Sequence, residues 1–355
     1  MERPGSLAPG GGGGGEFLRF THEAMATYFE ILIPKTVVAT LGGGSGTSRR
    51  GGYAEQAARE AFAELDRLEA ELSRFREDSD IVRLAALRSG ESLILGVASF
   101  ECLRLAREIH AATHGAFDVT VGRLLSCWRD KRGRRRTPSP EELAQARAHC
   151  GQELLELLGN THAARVKRTG VQVDLGGIGK GYALDKMAEL LRVWGLDEVL
   201  LHAGQSTVLV CRAGVPSGGV AAVWAASSEA AVKTSDGLAA GWPILVRDPL
   251  SGRRGRGGRN ALGVVRLASG AISGSGRLLH GPHILDPRTG RPAARLAAWA
   301  VAPTAGDADA LSTAFMVMSA AQVAVFCRRR PEVSALLAVE GGAGAEVRGF
   351  GRLKR

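Results

Sequence analysis

Apolar residues recur along this chain with helical spacing in some segments and with strand spacing in others. Steps of three and four residues predict a helix over Ala54–Phe75, whose buried face contains Phe62, Leu65, Leu68, Leu72 and Phe75. Further helices are predicted over Ser99–Ala112, Glu141–Cys150, Tyr182–Trp194 and about residues 307–319. β-prone runs predict strands at Tyr28–Pro34, at Val171–Leu175 and from Glu198–Leu201 onward. Because helices and strands are mixed without strict alternation, we predict an α+β fold.

Two glycine-rich segments lack this periodicity. Residues 1–15 are predicted to form a disordered tail, and residues 41–52 to form a flexible insert. The chain has 355 residues, which is enough for a large core and about two domains or lobes.

The charge pattern bears on the choice of partner. The formal net charge is +10, and much of it lies in arginine-rich runs at residues 131–136, 253–256 and 328–330. Such runs can bind nucleic acid phosphates or steer an anionic ligand. No nucleic-acid motif accompanies them, so we favour a solvated basic surface over nucleic acid binding.

The cysteines and the apolar runs bear on the cellular setting. Five scattered cysteines without a Cys-x-x-Cys pair indicate reduced, mostly buried thiols. No apolar run is long enough to span a membrane, and the first twenty residues contain no apolar signal core. We therefore expect a cytoplasmic protein without membrane insertion. The alternative is an exported protein whose leader is absent from this sequence.

The segment Asp174-Leu-Gly-Gly-Ile-Gly-Lys-Gly181 is suited to binding an anion between a strand and a helix. Its glycines let the backbone approach a phosphate, the helix offers free N–H groups, and Lys180 adds a cation. It is not a Walker loop, because Gly181 follows the lysine where Ser or Thr is needed to hold the metal. The glycine spacing also differs from a Rossmann fingerprint, and a plain tight turn explains the segment about equally well.

The segment from Thr304 to Ala314 contains Asp309 and Thr313, which are four residues apart. On a helix these side chains project from one face, where a carboxylate and a hydroxyl can share a hard cation. The alternative is helix capping, in which Asp307 or Asp309 satisfies the N–H groups of the first turn. The spacing alone favours capping.

Two further turns carry polar side chains beside glycines. Within residues 281–292, His283, Arg288 and Arg291 flank a Pro-Gly turn and could face a phosphate. Within Gly115–Gly122, Asp118 could anchor a polar ligand ring. In both segments the polar residues could instead serve only to stabilise the local turn.

In their order along the chain, these segments resemble the ApbE family, the magnesium-dependent FAD:protein FMN transferases. The resemblance covers about residues 17–350. It rests on six collinear elements: Met25–Glu30, Ser73–Phe75 with Asp78–Val82, Gly115–Gly122 followed by Trp128, Asp174–Tyr182, His283–Gly290 and Ala308–Ala314.

The resemblance implies a fold and a site. The fold would be ApbE-like and T-fold-like, with mixed sheets packed against helices and a ligand cleft between two lobes of one FAD-binding catalytic domain at residues 16–355. Mg²⁺ would be bound by Asp309, Thr313 and the backbone carbonyl of Gly179, on the pyrophosphate of FAD. The positions that surround flavin and nucleotide would be Met25, Asp118, Gly177, Lys180, Asp185, Gly204, Ser275 and His283.

The implied reaction is phosphoryl transfer. A Thr or Ser hydroxyl on an acceptor flavoprotein would attack the FMN phosphorus of FAD, and AMP would leave. The implied catalytic residues are His283, Asp307 and Lys180, with His283 and Asp307 or Asp309 as candidates for taking the proton. The alternatives are an FAD-binding protein, an FAD pyrophosphatase without a protein acceptor, and a basic nucleic-acid-binding protein.

Two elements depart from the family pattern. The family's Asn-Ala-Gly-Gly element is His202-Ala-Gly-Gln205 here, and the Thr of its Thr-Ser-Gly element is Gly274. We expect the side chain of Gln205 to alter the contacts with the nucleotide. Acceptor recognition is expected on surface loops such as residues 129–140 and 251–260.

Overall fold

A computed structural model describes residues 17–40, 47–130, 132–215, 220–225, 241–250, 261–277, 284–341 and 344–354. The strands β1 to β13 are Phe17–Ala24, Thr27–Pro34, Ser92–Ile94, Leu155–Leu158, Ala163–Val166, Val199–Ala203, Thr207–Cys211, Ala221–Ala225, Trp242–Arg247, Ala261–Gly276, Ala297–Ala302, Ser334–Gly341 and Gly344–Phe350. The helices α1 to α9 are Lys35–Thr40, Thr47–Leu72, Asp80–Ala85, Val97–Ala112, Gly122–Cys127, Pro140–Arg147, Gly179–Val193, Ala305–Val317 and Ala320–Arg329.

Within the described ranges, ten strands form one large antiparallel sheet. The hydrogen-bonded order is β1-β2-β6-β7-β10-β11-β12-β13. Strand β10 pairs with four other strands of this sheet. Its first half pairs with β8 and β9, and its second half pairs with β7 and β11. A separate three-stranded sheet has the order β3-β5-β4. The predicted α+β class is confirmed.

The large sheet is buried on both faces, so its strands are apolar at successive positions. Ile31 faces the main core under the helices, whereas Leu32 faces a second core on the opposite side. Leu201 and Leu200 divide between the two cores in the same way. Helices α2, α4, α7 and α8 cover the first face, and β8, β9 and the first half of β10 cover the second.

Helix α8 is the most deeply buried helix near the centre of the main core. Ten of its thirteen residues are buried, including the polar residues Asp309 and Ser312. It packs on β10, β11 and α7. A helix that is buried nearly all round can hold a carboxylate only where other groups compensate its charge. The groups around Asp309 must therefore do so.

The end of α2 differs from the predicted helix over Ala54–Phe75. The helix begins at Thr47, inside the predicted insert at 41–52, and ends at Leu72. The hydroxyl of Ser79 donates to the carbonyl of Ser73, and the hydroxyl of Ser73 accepts from the N–H of Phe75. These side chains compete with helical hydrogen bonds, so the chain turns and leaves Phe75 80% exposed. The prediction that Phe75 is buried was wrong.

Two other predicted elements need correction. Val171–Leu175 is not a strand, because Gln172 makes only an isolated bridge to Val121 before that partner segment turns into α5. The helix predicted over about 307–319 is present as α8 with shifted bounds, Ala305–Val317, and Ser319 forms a capping box at the start of the next helix, α9.

Four sequence predictions concern other features of the chain. The predicted tail at residues 1–15 and the expected acceptor loop at residues 251–260 lie outside the described residues. All five cysteines are free, and Cys102, Cys211 and Cys327 are buried. Within the described part of the chain, no helix is long and apolar enough to cross a membrane.

Candidate functional site

Asp309 joins three elements of the fold through its carboxylate. The side chain is 4% exposed. Its Oδ1 accepts from Ser273 Oγ on β10 at 3.2 Å and from Thr207 Oγ1 on β7 at 3.5 Å. Its Oδ2 accepts from the N–H of Gly181 at 3.2 Å and lies 3.9 Å from Lys180 Nζ. Asp309 therefore does not cap its own helix but faces the start of α7.

The cap of α8 is formed by Asp307 and Thr304 instead. Thr304 Oγ1 accepts from the N–H of Asp307 and donates to its carboxylate at 2.8 Å. Burial raises the pKa of Asp307. The hydrogen bond with Thr304 and the charge of Arg330 oppose this shift, and the charge of Glu108 adds to it. The capping alternative thus applies to Asp307, and the structure does not bring this predicted catalytic residue to the Asp309 carboxylate.

A cluster of hydroxyl groups surrounds Asp309 and Thr313. Ser275 Oγ lies 2.8 Å from Ser312 Oγ and 3.2 Å from Thr313 Oγ1, and Thr207 Oγ1 lies 2.9 Å from Ser273 Oγ. Ser273 and Ser275 reach the same side of the sheet because side chains alternate along β10. Sequence reasoning found Ser275 but missed Ser273, although their spacing of two residues was a usable signal.

The glycine-rich loop before α7 lies directly against this cluster. A Cβ added at Gly177 would lie 3.1 Å from Thr313 Oγ1, so the backbone passes close to that hydroxyl. Lys180 Nζ donates to the carbonyl of Gly176 at 2.9 Å. Gly179 is the first residue of α7 and stands two residues before Gly181, whose N–H contacts Asp309. The loop and α8, predicted separately, therefore form one site.

The donor set around Asp309 fits a hard divalent cation. It consists of a buried carboxylate, hydroxyl oxygens and the backbone of the glycine-rich loop. Within the described residues, no group of three His, Cys, Asp or Glu side chains is placed to hold a metal. Oxygen donors of this kind suit Mg²⁺ rather than a transition metal. The hydrogen bonds to the Asp309 carboxylate are 3.2 Å or longer, so its oxygens are not saturated by short bonds.

Asp185 fixes the distance between α7 and α8. Its two carboxylate oxygens accept from the N–H groups of Ala305 and Gly306, each at 2.8 Å. Burial raises the pKa of Asp185 to about 7, and these two N–H groups oppose the shift. The family resemblance implied a nucleotide contact at Asp185, but the carboxylate is occupied by the start of α8 and acts there as a link between the two helices.

Asp118 forms a second polar centre next to the loop. Its Oδ1 accepts from the N–H and hydroxyl of Thr120, and its Oδ2 lies 3.3 Å from His110 Nδ1. The neighbouring ring of Phe117 is 3.3 Å from the position of a Cβ at Gly177. Asp118 thus stabilises its own turn, which was one of the two alternatives for this residue. It also lies close to the glycine-rich loop.

The pair of His110 and Asp118 gives a pH-dependent prediction. The hydrogen bond to Asp118 raises the pKa of His110 above its ordinary value of 6.5. The stabilisation from this pair is complete below pH 6.5 and is lost as the pH rises through the raised pKa. We expect Asp118→Asn to lower the pKa of His110, measured by NMR titration of the imidazole. An unchanged His110 pKa would contradict this pairing.

Near the turn between β1 and β2 lie three further positions that the family resemblance implied: Met25, Gly204 and Ser275. Met25, with a positive φ of 50°, forms the β1–β2 turn, and the N–H of Gly204 donates to the carbonyl of Tyr28. Gly204 has a positive φ of 56°, which strains any side chain, and a Cβ there would also lie 2.3 Å from Thr27 Oγ1. The N–H of Gly274 donates to the carbonyl of Ser206. These contacts bring Met25, Gly204 and Ser275 to one edge of the site.

The two departures from the family pattern lie mainly on the opposite face of the sheet from Asp309. His202 is buried and pairs with Glu30 at 2.6 Å, and this hydrogen bond lowers the pKa of Glu30. Position 274 alternates with Ser273 and Ser275, and a Cβ there would lie 2.6 Å from the indole of Trp299. Glycine at this position therefore leaves room for Trp299, without a change in the hydroxyls that face Asp309.

The turn at residues 284–292 packs against the ends of α5 and α6 through its backbone. Trp128 Nε1 donates to the carbonyl of Gly290 at 3.0 Å, and Arg147 donates to the carbonyl of Arg288 at 2.7 Å. The side chain of Arg288 pairs with Asp286 within the turn. Arg288 thus stabilises its own turn, in line with the alternative that the polar residues serve the local turn. His283 lies outside the described residues.

Phe75 is a candidate contact that sequence periodicity had assigned to the core. The guanidinium of Arg74 lies 4.7 Å from the Phe75 ring and also pairs with Asp174 at 2.5 Å. Asp174 in turn accepts from the N–H of Gly176. An exposed aromatic ring therefore stands next to the glycine-rich loop, where it can stack on a planar ligand group.

Together these features define an α+β protein in which a buried carboxylate, a cluster of hydroxyl groups and a glycine-rich loop meet between two helices and a sheet. A sequence model of the ApbE family matches residues 25–337, and the chain belongs to this family. A FAD:protein FMN transferase from Treponema pallidum is 30% identical over 293 residues, covering 78% of this chain and 75% of that protein. The FAD:protein FMN transferase of Escherichia coli K12 is 26% identical with the same coverage.

Two solved structures share the fold. The flavin transferase ApbE from Vibrio cholerae superposes with a TM-score of 0.73 at 22% identity, covering 95% of this chain and 98% of that one. The ApbE protein from Thermotoga maritima superposes with a TM-score of 0.70 at 24% identity, covering 94% and 97%. The predicted ApbE-like fold is confirmed by these comparisons.

Proposed function

We propose that this protein transfers FMN from FAD to a Thr or Ser hydroxyl of an acceptor flavoprotein and depends on Mg²⁺. The observation that carries the proposal is the Asp309 carboxylate, held between the glycine-rich loop and a cluster of hydroxyls in a chain of the ApbE family. The relatives named FAD:protein FMN transferase supply the substrate and the type of reaction.

The residues that would hold the metal are Asp309, Thr313 and the carbonyl of Gly179. Mg²⁺ held by these residues would supply positive charge that neutralises the charge developing on the attacking and leaving oxygens. Lys180 would bind a pyrophosphate oxygen, and the first N–H groups of α7 would orient the phosphates through the helix dipole.

The reaction is a displacement at one phosphorus. The acceptor oxygen forms a bond to the FMN phosphorus, the bond from that phosphorus to the bridging oxygen breaks, and AMP leaves with the bridging oxygen. His283 is the candidate that accepts the hydroxyl proton. We do not assign this role to Asp307, because its carboxylate accepts a hydrogen bond from Thr304 at the cap of α8.

The experiment that tests the proposal is incubation with FAD, Mg²⁺ and a candidate acceptor flavoprotein. We expect the acceptor to carry a covalently attached, fluorescent flavin, with the mass increase located on a Thr or Ser. One AMP should be released for each flavin attached. Free FMN with an unlabelled acceptor would support FAD hydrolysis instead. Absence of FAD cleavage in Mg²⁺ would contradict both enzymatic functions.

Lys180 gives a prediction about nucleotide affinity. We expect Lys180→Met to weaken FAD binding about tenfold, because a charge-assisted hydrogen bond to phosphate contributes about 1.5 kcal/mol or more. Titration calorimetry with FAD in Mg²⁺ measures the change. Lys186→Met is the matched control on the same helix, since Lys186 pairs with Glu101 and Glu189 rather than facing the loop. Equal effects of the two substitutions would contradict the assignment.

A further inference from the structure

A cleft of about 530 Å³ opens at the C-terminal end of α8. Its lining includes no residue of the glycine-rich loop and neither Asp309 nor Thr313. The residues that matter for its chemistry are Thr289, Arg291, Arg295, Val317, Gln322 and Glu340. A cavity of this size, with an apolar floor and a few polar groups, is suited to binding a specific ligand.

The cleft begins one helical turn from the metal-binding side chains. Val317 follows Thr313 by four residues, so the two lie on one face of α8 about 6 Å apart along the helix axis. An extended chain covers about 3.3 Å per residue, so about two residues span this distance. A polypeptide lying in the cleft can therefore present a neighbouring hydroxyl to the Asp309 site.

The cleft has more unpaired positive than negative side chains. Within the described residues, Arg291, Arg295 and Glu340 form no salt bridge, whereas Asp286 is already paired with Arg288. Arg295 donates Nε to the carbonyl of Phe315 at 2.9 Å and one Nη to that of Met318 at 2.6 Å. These bonds cap α8 and leave the other Nη group without a partner in the described part of the chain.

We propose that this cleft binds the acceptor protein as an extended segment with an acidic side chain close to its target hydroxyl. The carboxylate pairs with Arg291 and Arg295, and the backbone of the segment lies over the turn of α8 that ends at Val317. The proposal rests on the proposed transferase function and adds where the acceptor binds. It places acceptor recognition here rather than on the surface loop at residues 129–140.

The test uses peptides that contain threonine, fused to a carrier protein, with either Asp or Lys at the positions that flank the threonine. Each fusion is incubated with the full-length protein, FAD and Mg²⁺, and flavin attachment is measured as kcat/KM. We expect the wild-type protein to favour the acidic peptides. Arg291→Glu should lower kcat/KM for acidic peptides at least about tenfold and raise it for basic ones, because like charges repel.

Arg132→Glu is the matched control, because Arg132 is an exposed arginine of the surface loop at residues 129–140. We expect it to leave the preference for acidic peptides unchanged. Thermal stabilisation by FAD and Mg²⁺ should be equal in both variants and the wild type, which shows that the FAD site is intact. An unchanged preference in Arg291→Glu, or a loss of preference in Arg132→Glu alone, overturns the cleft proposal.

The same experiment separates this proposal from the proposed function. If the wild-type protein cleaves FAD but labels no fusion, transfer fails and the cleft proposal fails with it. If the protein labels acidic and basic fusions equally, transfer stands and only the cleft proposal is overturned. If FAD or phosphate occupies the cleft, Arg291→Glu will weaken FAD binding itself, which also overturns acceptor binding.

Discussion

Asp309→Asn is expected to abolish the part of FAD binding that depends on magnesium and to slow FMN transfer by about a hundredfold or more. The wild-type protein in FAD at a hundred times its Kd should gain about 2.7 kcal/mol of stability. The variant should lose the component of that gain that appears only with Mg²⁺. Loss of metal stabilisation of several kcal/mol in the transition state corresponds to a rate loss of this size.

The physical reason is that Asp309 supplies the charged oxygen of the site. Its neighbours Ser273, Thr207 and Thr313 offer only neutral hydroxyls. Asparagine keeps the shape and one acceptor for Ser273 or Gly181, so the fold should persist. Thermal denaturation with and without FAD, Mg²⁺ and EDTA measures the effect.

Asp307→Asn is the matched control, two residues away on the same helix. Asp307 bonds to Thr304 at the helix cap, and the amide oxygen of asparagine can still accept that bond. We expect at most about 1 kcal/mol of destabilisation and unchanged magnesium dependence. Equal losses in the two variants would contradict the separation of the capping carboxylate from the metal-binding one.

Gly181→Ala is expected to have the second large effect, because it forces the two halves of the site apart. A Cβ at this position would lie 2.1 Å from the carbonyl oxygen of Ala305, which belongs to the backbone of α8. Backbone cannot move aside as a side chain can, so we expect a loss of about 3 kcal/mol or more. Because the N–H of Gly181 contacts Asp309, FAD binding in Mg²⁺ should weaken as well.

Gly179→Ala is the control for this prediction on the same turn. A Cβ at Gly179 would meet only Leu175, at an ordinary 3.7 Å. We expect no loss of stability, and a gain of up to about 1 kcal/mol because glycine is the more flexible residue in the unfolded chain. Urea denaturation compares the two variants, and a greater loss at Gly179 than at Gly181 would contradict the packing of α7 on α8.

The sequence could predict the segments of the site but not their partners. The spacing of Asp309 and Thr313 places both on one helical face, and the glycine-rich loop is recognisable by itself. The hydroxyls that complete the cluster lie 36 and 102 residues before Asp309, at Ser273 and Thr207. No local pattern links positions so far apart, because only the pairing of β7 with β10 brings them together.

Side-chain hydrogen bonds explain where the structure differs from the sequence prediction or adds to it. Phe75 continues the apolar spacing of α2, but the hydroxyls of Ser73 and Ser79 take the hydrogen bonds that would extend the helix. The nucleotide contact that the family resemblance implied for Asp185 stays a prediction, and the structure adds that its carboxylate binds the first N–H groups of α8. Side-chain bonds of this kind depend on tertiary neighbours that periodicity does not reveal.

The most direct test of the central claim uses Mn²⁺ in place of Mg²⁺ with bound FAD. Electron–nuclear double resonance detects the phosphorus nuclei within a few bonds of the metal. We predict phosphorus coupling in the wild-type protein and in Asp307→Asn, and loss of the coupled signal in Asp309→Asn. Phosphorus coupling that survives in Asp309→Asn, or bound Mn²⁺ without any coupling in the wild type, would contradict a metal site shared by Asp309 and the pyrophosphate of FAD.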